Sequence, residues 1–95
     1  MNCKEIEFSR HAIVQMFARS ITKDQVVNII KFGEIVLEYD DDKPFPSKLL
    51  LGDIYENPIH VVVGYDEKNM RCIVITAYKP DRTIWESDYK TRRNA

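Results

Sequence analysis

The sequence predicts an α+β fold in which two N-terminal helices pack on a roughly four-stranded antiparallel sheet. Two observations predict the helices: Ser9 and Thr22 are suited to cap a helix, and apolar residues recur at helical spacing after each. A third predicts the sheet, because the chain after Gly33 changes to short segments rich in Val, Ile and Leu, separated by turn residues.

The first helix is expected to begin after Ser9 and to run to Ala18, following a short edge strand over residues 4–8. Its core-facing side is expected to consist of Ile13, Val14, Met16 and Phe17.

The second helix is expected to begin after Thr22, where Gln25 completes a capping-box pattern, and to end at Gly33. Its buried side is expected to consist of Val26, Val27, Ile29 and Ile30.

Four strands are predicted, over residues 34–39, 47–55, 59–65 and 71–79. An acidic loop over residues 40–46, a turn at 57–58 and a hairpin loop over 66–69 connect them. In the last strand, strict alternation places Thr76 and Tyr78 on the same side as Cys72 and Val74. A tail begins at Pro80.

The 95 residues predict one domain over residues 1–95, since 44% apolar content suffices for a single modest core. The net charge of −1 gives no bulk basic character, yet charge is uneven: an acidic block lies at 34–42, and the last stretch is rich in Lys and Arg. No apolar run approaches the ~20 residues that cross a bilayer, and no N-terminal apolar segment is found, so a cytoplasmic protein without membrane contact is expected.

The two cysteines, Cys3 and Cys72, predict neither a closed zinc site nor a disulfide scaffold. Cys72 is expected to be a small buried apolar residue. No metal or other cofactor is expected, and the triplet Asp40, Asp41, Asp42 is typical of an exposed turn, although it could bind a cation.

A polar stripe on the first helix is the leading candidate site. His11, Gln15 and Arg19 recur every fourth residue and therefore share one face. His11 is a candidate for proton transfer, because the reference pKa of imidazole, ~6.5, is close to neutral pH. Arg19 is a candidate phosphate ligand, and Gln15 a substrate contact. Each could equally lie on a solvent face, with His11 bonded to a neighbour and Arg19 to the helix end.

The end of the last strand supplies the other candidates. Tyr78 could donate a hydrogen bond to phosphate or pack at the core edge, and Lys79 could stabilise developing negative charge. The remaining candidate substrate-binding residues are Thr76, Arg82, Arg92 and Arg93. Trp85 is expected to attach the tail to the sheet, with base stacking as the alternative, and His60 has no evident partner.

The chain resembles a family of small bacterial domains of unknown function that are compared with RelE-like and BrnT-like toxin ribonucleases. The matching motifs, in order, are Ser9-x-His11-Ala12, Arg19-Ser20-Ile21-Thr22, Phe32-Gly33, Thr76-x-Tyr78-x-Pro80, Trp85-Glu86 and Arg92-Arg93. The resemblance implies a RelE-like α+β fold, RNA cleavage and an antitoxin partner.

The first functional hypothesis is therefore a metal-independent endoribonuclease of a toxin–antitoxin pair, in which His11 acts with Arg19, Tyr78 and Lys79. Its substrate would be RNA, free or on the ribosome, and a homodimer is compatible with it. The alternatives are a module that binds RNA or protein without catalysis, and a structural interaction domain.

Overall fold

The computed structural model describes residues 1–52 and 56–94. Along the sequence, two helices lie between the first strand and the other four. The elements are β1 (Glu5–Phe8), α1 (Arg10–Ala18), α2 (Lys23–Phe32), β2 (Glu34–Tyr39), β3 (Ser47–Gly52), β4 (Ile59–Asp66) and β5 (Arg71–Tyr78).

The sheet has five strands in the order β1-β5-β4-β3-β2, and it is mixed. The strands β2 to β5 pair antiparallel, whereas β1 lies parallel to β5, with Glu5 opposite Arg71 and Phe8 opposite Val74. The expected RelE-like fold with a four-stranded antiparallel sheet is therefore wrong. A short strand does not reveal its partner when that partner is more than 60 residues away, since alternation reports only which faces are apolar.

Both helix starts are as expected from the caps. The Ser9 side chain accepts a hydrogen bond from the Ala12 amide, and Thr22 and Gln25 form a complete capping box. Gly33 ends α2 in an extended conformation, and a Cβ there would lie 2.5 Å from the Ile29 carbonyl oxygen. Close packing therefore explains this glycine. Within the described residues, no helix has the length and apolar character to cross a membrane.

The expected buried face of α1 is wrong for three of its four residues. Met16 is buried, as is Ala12, but the exposed fractions of Ile13, Val14 and Phe17 are 45%, 56% and 88%. The helix packs against β5 through the narrow stripe of Ala12 and Met16, four residues apart. Its outer face therefore carries apolar side chains that no other described part of the chain covers.

The core lies between the helices and one face of the sheet. The buried residues that form it are Ala12, Met16, Ile21, Val26, Ile29, Ile30, Leu50, Ile59, Val61, Val63, Cys72, Val74 and Ala77. In α2 the expectation is confirmed for Val26, Ile29 and Ile30, whereas Val27 is half-buried. His60 lies between two core residues of β4, so its side chain points to the other face of the sheet.

Strand boundaries differ little from the expected ones. The strand expected over 47–55 is β3, which the structure describes as Ser47–Gly52, and residues 53–55 of that expectation lie outside the described residues. The strand β4 ends one residue later than expected, and β5 ends one residue earlier.

A β-bulge in β5 overturns the expected alternation. Val63 pairs with Val74 and Val62 with Thr76, so Ile75 is an extra residue on β5. One extra residue moves everything after it to the opposite face. Ala77 therefore joins Cys72 and Val74 in the core, whereas Tyr78 lies beside His60 on the other face.

The cysteines form a disulfide, which the sequence analysis did not expect. Cys3 is bonded to Cys72 across 69 residues of sequence, with the Cα atoms 5.7 Å apart. Cys72 is buried as expected, but it is not free. The bond, together with the Lys4 amide bonded to the Met70 carbonyl at 2.8 Å, holds the N-terminus against β5.

The burial of Met16 and the exposure of its neighbour Phe17 can be tested by replacing each with alanine. We expect Met16→Ala to lower the free energy of unfolding by about 2–4 kcal/mol, because it leaves a cavity in the core. We expect Phe17→Ala to change it by less than about 0.5 kcal/mol, because the ring is exposed. Urea unfolding of both variants checks this, and equal losses would contradict the observed face.

The disulfide can be tested with Cys3→Ser. Under oxidising conditions we expect this variant to be less stable than the wild type by up to about 4 kcal/mol, the chain-entropy value for a loop of this length. With a reductant present, the two proteins should unfold at nearly the same urea concentration. A difference that persists unchanged under reduction would show that the effect of the serine does not come from the bond.

Candidate functional site

The tail folds back on itself as a small hairpin-like turn. The Glu86 amide donates to the Thr91 carbonyl and the Arg93 amide to the Ile84 carbonyl, both at 2.8 Å. At the tip, the Asp88 carboxylate accepts from the amides of Lys90 and Thr91. These local bonds make the tail an ordered element that can hold side chains in place.

His60 connects this tail to the sheet. It is fully buried, and its Nε2 lies 2.7 Å from the Tyr89 carbonyl oxygen. The Trp85 ring packs edge-on against the imidazole, with the centroids 4.7 Å apart. Tyr89 has a φ of 58°, a left-handed conformation that costs a bulky residue about 1–2 kcal/mol. The tail accepts this strain where its carbonyl meets His60.

These contacts define how the protons are distributed. A carbonyl only accepts, so Nε2 carries the proton, and Nδ1 of the neutral ring is an acceptor. The Tyr78 hydroxyl, 3.2 Å from Nδ1, therefore donates to it. Burial lowers the pKa of His60, partly opposed by the bond to Tyr89, and burial raises the pKa of Tyr78. Both groups are thus held in their neutral forms.

The tail and the end of β5 enclose an open cavity of about 370 Å³, which we call the tail hollow. Its walls come from the end of α1, the end of β5 and the tail. The lining residues are Arg19, Tyr78, Lys79, Asp81, Ile84, Trp85 and Arg92.

The tail hollow is electropositive. It contains three cations, Arg19, Lys79 and Arg92, and one carboxylate, Asp81. In the described part of the chain, none of the three cations forms a salt bridge. Asp81 accepts from the amide and hydroxyl of Thr83, which lowers its pKa and keeps it ionised. The excess of unpaired positive charge suits an anion.

Local structure explains how two of the cations reach the hollow. The helix α1 ends in a Schellman-type turn, in which Ser20 is left-handed with a φ of 56° and the Ile21 amide donates to the Met16 carbonyl. Arg19 is the C-cap residue of this turn. Arg92 lies over the Trp85 ring, with its guanidinium carbon 5.3 Å from the centroid.

The structure brings together Arg19, Tyr78, Lys79 and Arg92 from the residues that the sequence singled out. His11 is exposed near the opposite end of α1, ~12 Å from Arg19 along the axis, and does not line the hollow. Gln15 and Thr76 are half-buried and Arg82 is exposed, and none of them lines it either.

Arg93 is engaged elsewhere. Its Nε donates to the Arg82 carbonyl at 2.7 Å, and its guanidinium pairs with Glu86 at 3.1 Å. It therefore stabilises the tail. Trp85 attaches the tail to the sheet, as expected, and also forms part of the wall of the hollow.

His60 is the residue that the sequence analysis missed. The expectation that it lacks a partner is wrong, because its ring contacts Tyr78, Trp85 and Tyr89. A histidine between the apolar residues Ile59 and Val61 of a strand was the available indication, but its partners come from β5 and the tail.

The acidic loop offers no metal site in the structure. Across residues 1–52 and 56–94, no group of three or more His, Cys, Asp or Glu side chains is placed to hold a metal ion. Asp42 instead accepts a hydrogen bond from the buried hydroxyl of Ser47 at the start of β3.

Comparison with known protein families identifies a match over most of the chain. The profile of the family described as "Domain of unknown function (DUF4258)" matches residues 8–79. No curated protein and no solved structure matches the chain significantly. The matched segment includes Arg19, Tyr78 and Lys79, whereas the tail with Trp85 and Arg92 follows it.

The buried His60 predicts a specific pH dependence of stability. Its pKa is lowered in the folded state, so between about pH 6.5 and that lowered value the unfolded chain binds a proton that the folded chain does not. We therefore expect the free energy of unfolding to be highest above pH 6.5, as far as this group is concerned, and to fall as the pH decreases below it.

Urea titrations between pH 5 and pH 8 measure this effect. We expect His60→Gln to lose this part of the pH dependence and His11→Ala to keep it, because His11 is exposed. Asp66, Asp81 and Asp88, whose pKa values are also lowered, affect stability only near and below their reference value of 3.8. If the free energy of unfolding of His60→Gln changed with pH as it does in the wild type, the pH dependence would not come from His60.

Proposed function

Because the chain belongs to the DUF4258 family, whose description leaves function open, we propose a function from the site itself: binding and metal-independent cleavage of RNA at the tail hollow. One observation carries the proposal. Arg19, Lys79 and Arg92 come from three separate parts of the chain to one open cavity that Tyr78 also lines, and none of the three forms a salt bridge among the described residues.

The lining fits a phosphodiester. A guanidinium matches two phosphate oxygens with two parallel hydrogen bonds, and an ammonium adds a compact charge. The exposed Arg19 and Arg92 can therefore bind a phosphate in the cavity that Lys79 also lines. Ile84, half of whose surface is exposed, lines the same cavity and offers apolar surface to a ribose or base.

The same groups suit cleavage through the ribose 2′-hydroxyl. Attack of this oxygen on phosphorus generates a phosphorane with additional negative charge, which cations fixed in advance stabilise more strongly than they stabilise the substrate. The 2′-hydroxyl is also what separates RNA from DNA as a substrate. The proposal therefore predicts cleavage of RNA and no cleavage of DNA.

The sequence motifs resemble a family of small bacterial domains that is compared with RelE-like and BrnT-like toxin ribonucleases, and this resemblance supports the same function, with an antitoxin as partner. The uncovered apolar face of α1, with Ile13, Val14 and Phe17, is compatible with a protein partner. A toxin–antitoxin role is thus part of the proposal.

A second candidate function, RNA binding without cleavage, is favoured by the position of His11. The hollow contains cations and a phenol, but the only exposed histidine in the described residues lies outside it. A proposal of cleavage must therefore obtain its proton acceptor from another group.

Charge removal in the hollow tests the proposal. We expect Arg19→Ala and Lys79→Ala each to slow cleavage of a short single-stranded RNA about 100-fold or more in EDTA, since each removes a group that stabilises the phosphorane. Each should also reduce the salt dependence of RNA affinity by about one unit of slope. Gel assays and fluorescence anisotropy measure the two quantities.

Lys68→Ala is the matched control, because Lys68 is an exposed lysine in the turn between β4 and β5, away from the tail hollow. It should leave both quantities unchanged. RNA binding without product in the wild-type protein would select the binding module over the nuclease. Equal effects of Lys68→Ala and Lys79→Ala would show that the tail hollow is not the site of RNA binding and cleavage.

A further inference from the structure

Among the residues that line the tail hollow, Tyr78 is the one whose neutral side chain can exchange a proton. A phenol is by itself a poor base near neutral pH, because its reference pKa is about 10. Burial raises the pKa of Tyr78 further. If Tyr78 takes a proton from the ribose, it must release its own proton at the same moment.

Behind Tyr78, and out of reach of solvent, lies a group able to accept that proton. His60 is fully buried, and the hydrogen bond from the Tyr78 hydroxyl ends on its Nδ1. The Tyr89 carbonyl holds the only proton of the neutral ring on Nε2. The lone pair of Nδ1 therefore faces the phenolic proton.

We propose that Tyr78 and His60 form a proton relay, in which Tyr78 takes the proton of the RNA 2′-hydroxyl while its own proton passes to His60 Nδ1. The inference rests on the proposed function, since it names the proton acceptor for that cleavage. His60 touches no substrate atom and acts only through Tyr78, so it is a positioning residue that also stores the relayed proton.

The step balances as follows. The 2′-hydroxyl loses its proton to Tyr78 Oη, the phenolic proton forms a bond to Nδ1, and the 2′ oxygen attacks phosphorus. The bond from phosphorus to the 5′ oxygen breaks, and the leaving oxygen takes a proton from the Lys79 ammonium, which regains one from water. The products are a 2′,3′-cyclic phosphate and a 5′-hydroxyl. The imidazolium then returns its proton through Tyr78 to solvent.

The hydrogen bonds of the imidazole stay satisfied when the ring carries a transient charge. Once protonated, both ring nitrogens donate, Nε2 to the Tyr89 carbonyl and Nδ1 to the Tyr78 oxygen, so neither N–H is left unpaired. The titratable or charged groups around Tyr78 and His60 are Tyr39 on β2 and Arg92 on the tail. On β3, His60 is opposite Leu51, which does not titrate.

The proton positions can be tested without RNA. Long-range ¹⁵N–¹H NMR spectra of the wild-type protein should show His60 as the neutral Nε2–H tautomer at pH 7.5. In Tyr78→Phe this tautomer should persist, and the Nδ1 resonance should move towards that of a nitrogen without a hydrogen bond. A proton on Nδ1 in the wild-type protein would overturn the relay, because Tyr78 could then only accept.

Kinetics test the relay itself. We expect His60→Gln and Tyr78→Phe each to lower the cleavage rate about 100-fold, the lower end for loss of a positioned acid or base. The affinity for RNA in His60→Gln should stay within about twofold of the wild type, because glutamine can still donate to the Tyr89 carbonyl and keep the tail in place. The fall in wild-type rate on the acidic side, below pH 6.5, should disappear in His60→Gln.

The possible outcomes separate the two proposals. A wild-type protein that does not cut RNA sinks the nuclease function and the relay with it. A wild-type protein that cuts RNA, with His60→Gln cutting at the same rate and with the same pH profile, overturns the relay alone. If His60→Gln does not fold by circular dichroism, Tyr78→Phe with the NMR spectra decides, since its phenyl ring keeps the packing.

Discussion

The hydrogen bond between the buried His60 and the Tyr89 carbonyl is the interaction on which the candidate site depends. It attaches the tail to the face of the sheet that the helices leave free. The rings of Trp85 and Tyr78, which pack edge-on against the imidazole, reinforce this attachment. Without this attachment, Arg92, Trp85 and Ile84 would have no fixed position beside Tyr78. Because a buried neutral imidazole requires partners on both nitrogens, the same contact orients the tail and the tyrosine hydroxyl.

Two constraints in the sheet place Tyr78 where the tail can meet it. Because of the extra residue at Ile75, the Tyr78 side chain lies on the face of the sheet opposite the helices, where the tail packs. Without it, the alternation that begins at Cys72 and Val74 would place Tyr78 on the core side. The pairing of β1 with β5, supported by the bond between Cys3 and Cys72, fixes β5 between two neighbours along its first half. The second half emerges beside α1, whose last turn supplies Arg19.

In the proposed function, the residues of the tail hollow have two separate roles, phosphate binding and proton transfer. In that function, the exposed cations hold the phosphate, and the buried, neutral His60 stands behind the Tyr78 hydroxyl. The cations alone would account for binding, because charge is sufficient to hold a polyanion. In the proposed relay, Tyr78 and His60 give the site a route for moving a proton, which a module that only binds RNA does not need.

The sequence by itself determined the local features: the caps at Ser9 and Thr22, the end of α2 at Gly33, the spans of the strands, and the residue types able to meet phosphate. These depend on interactions between neighbours in the chain. Only the tertiary structure decided the pairing of β1, the buried face of α1, the partners of His60 and the meeting of Arg19 with Arg92. Each of these joins residues from distant parts of the chain, or depends on one unpaired residue in a strand, and the alternation of apolar residues does not encode such contacts.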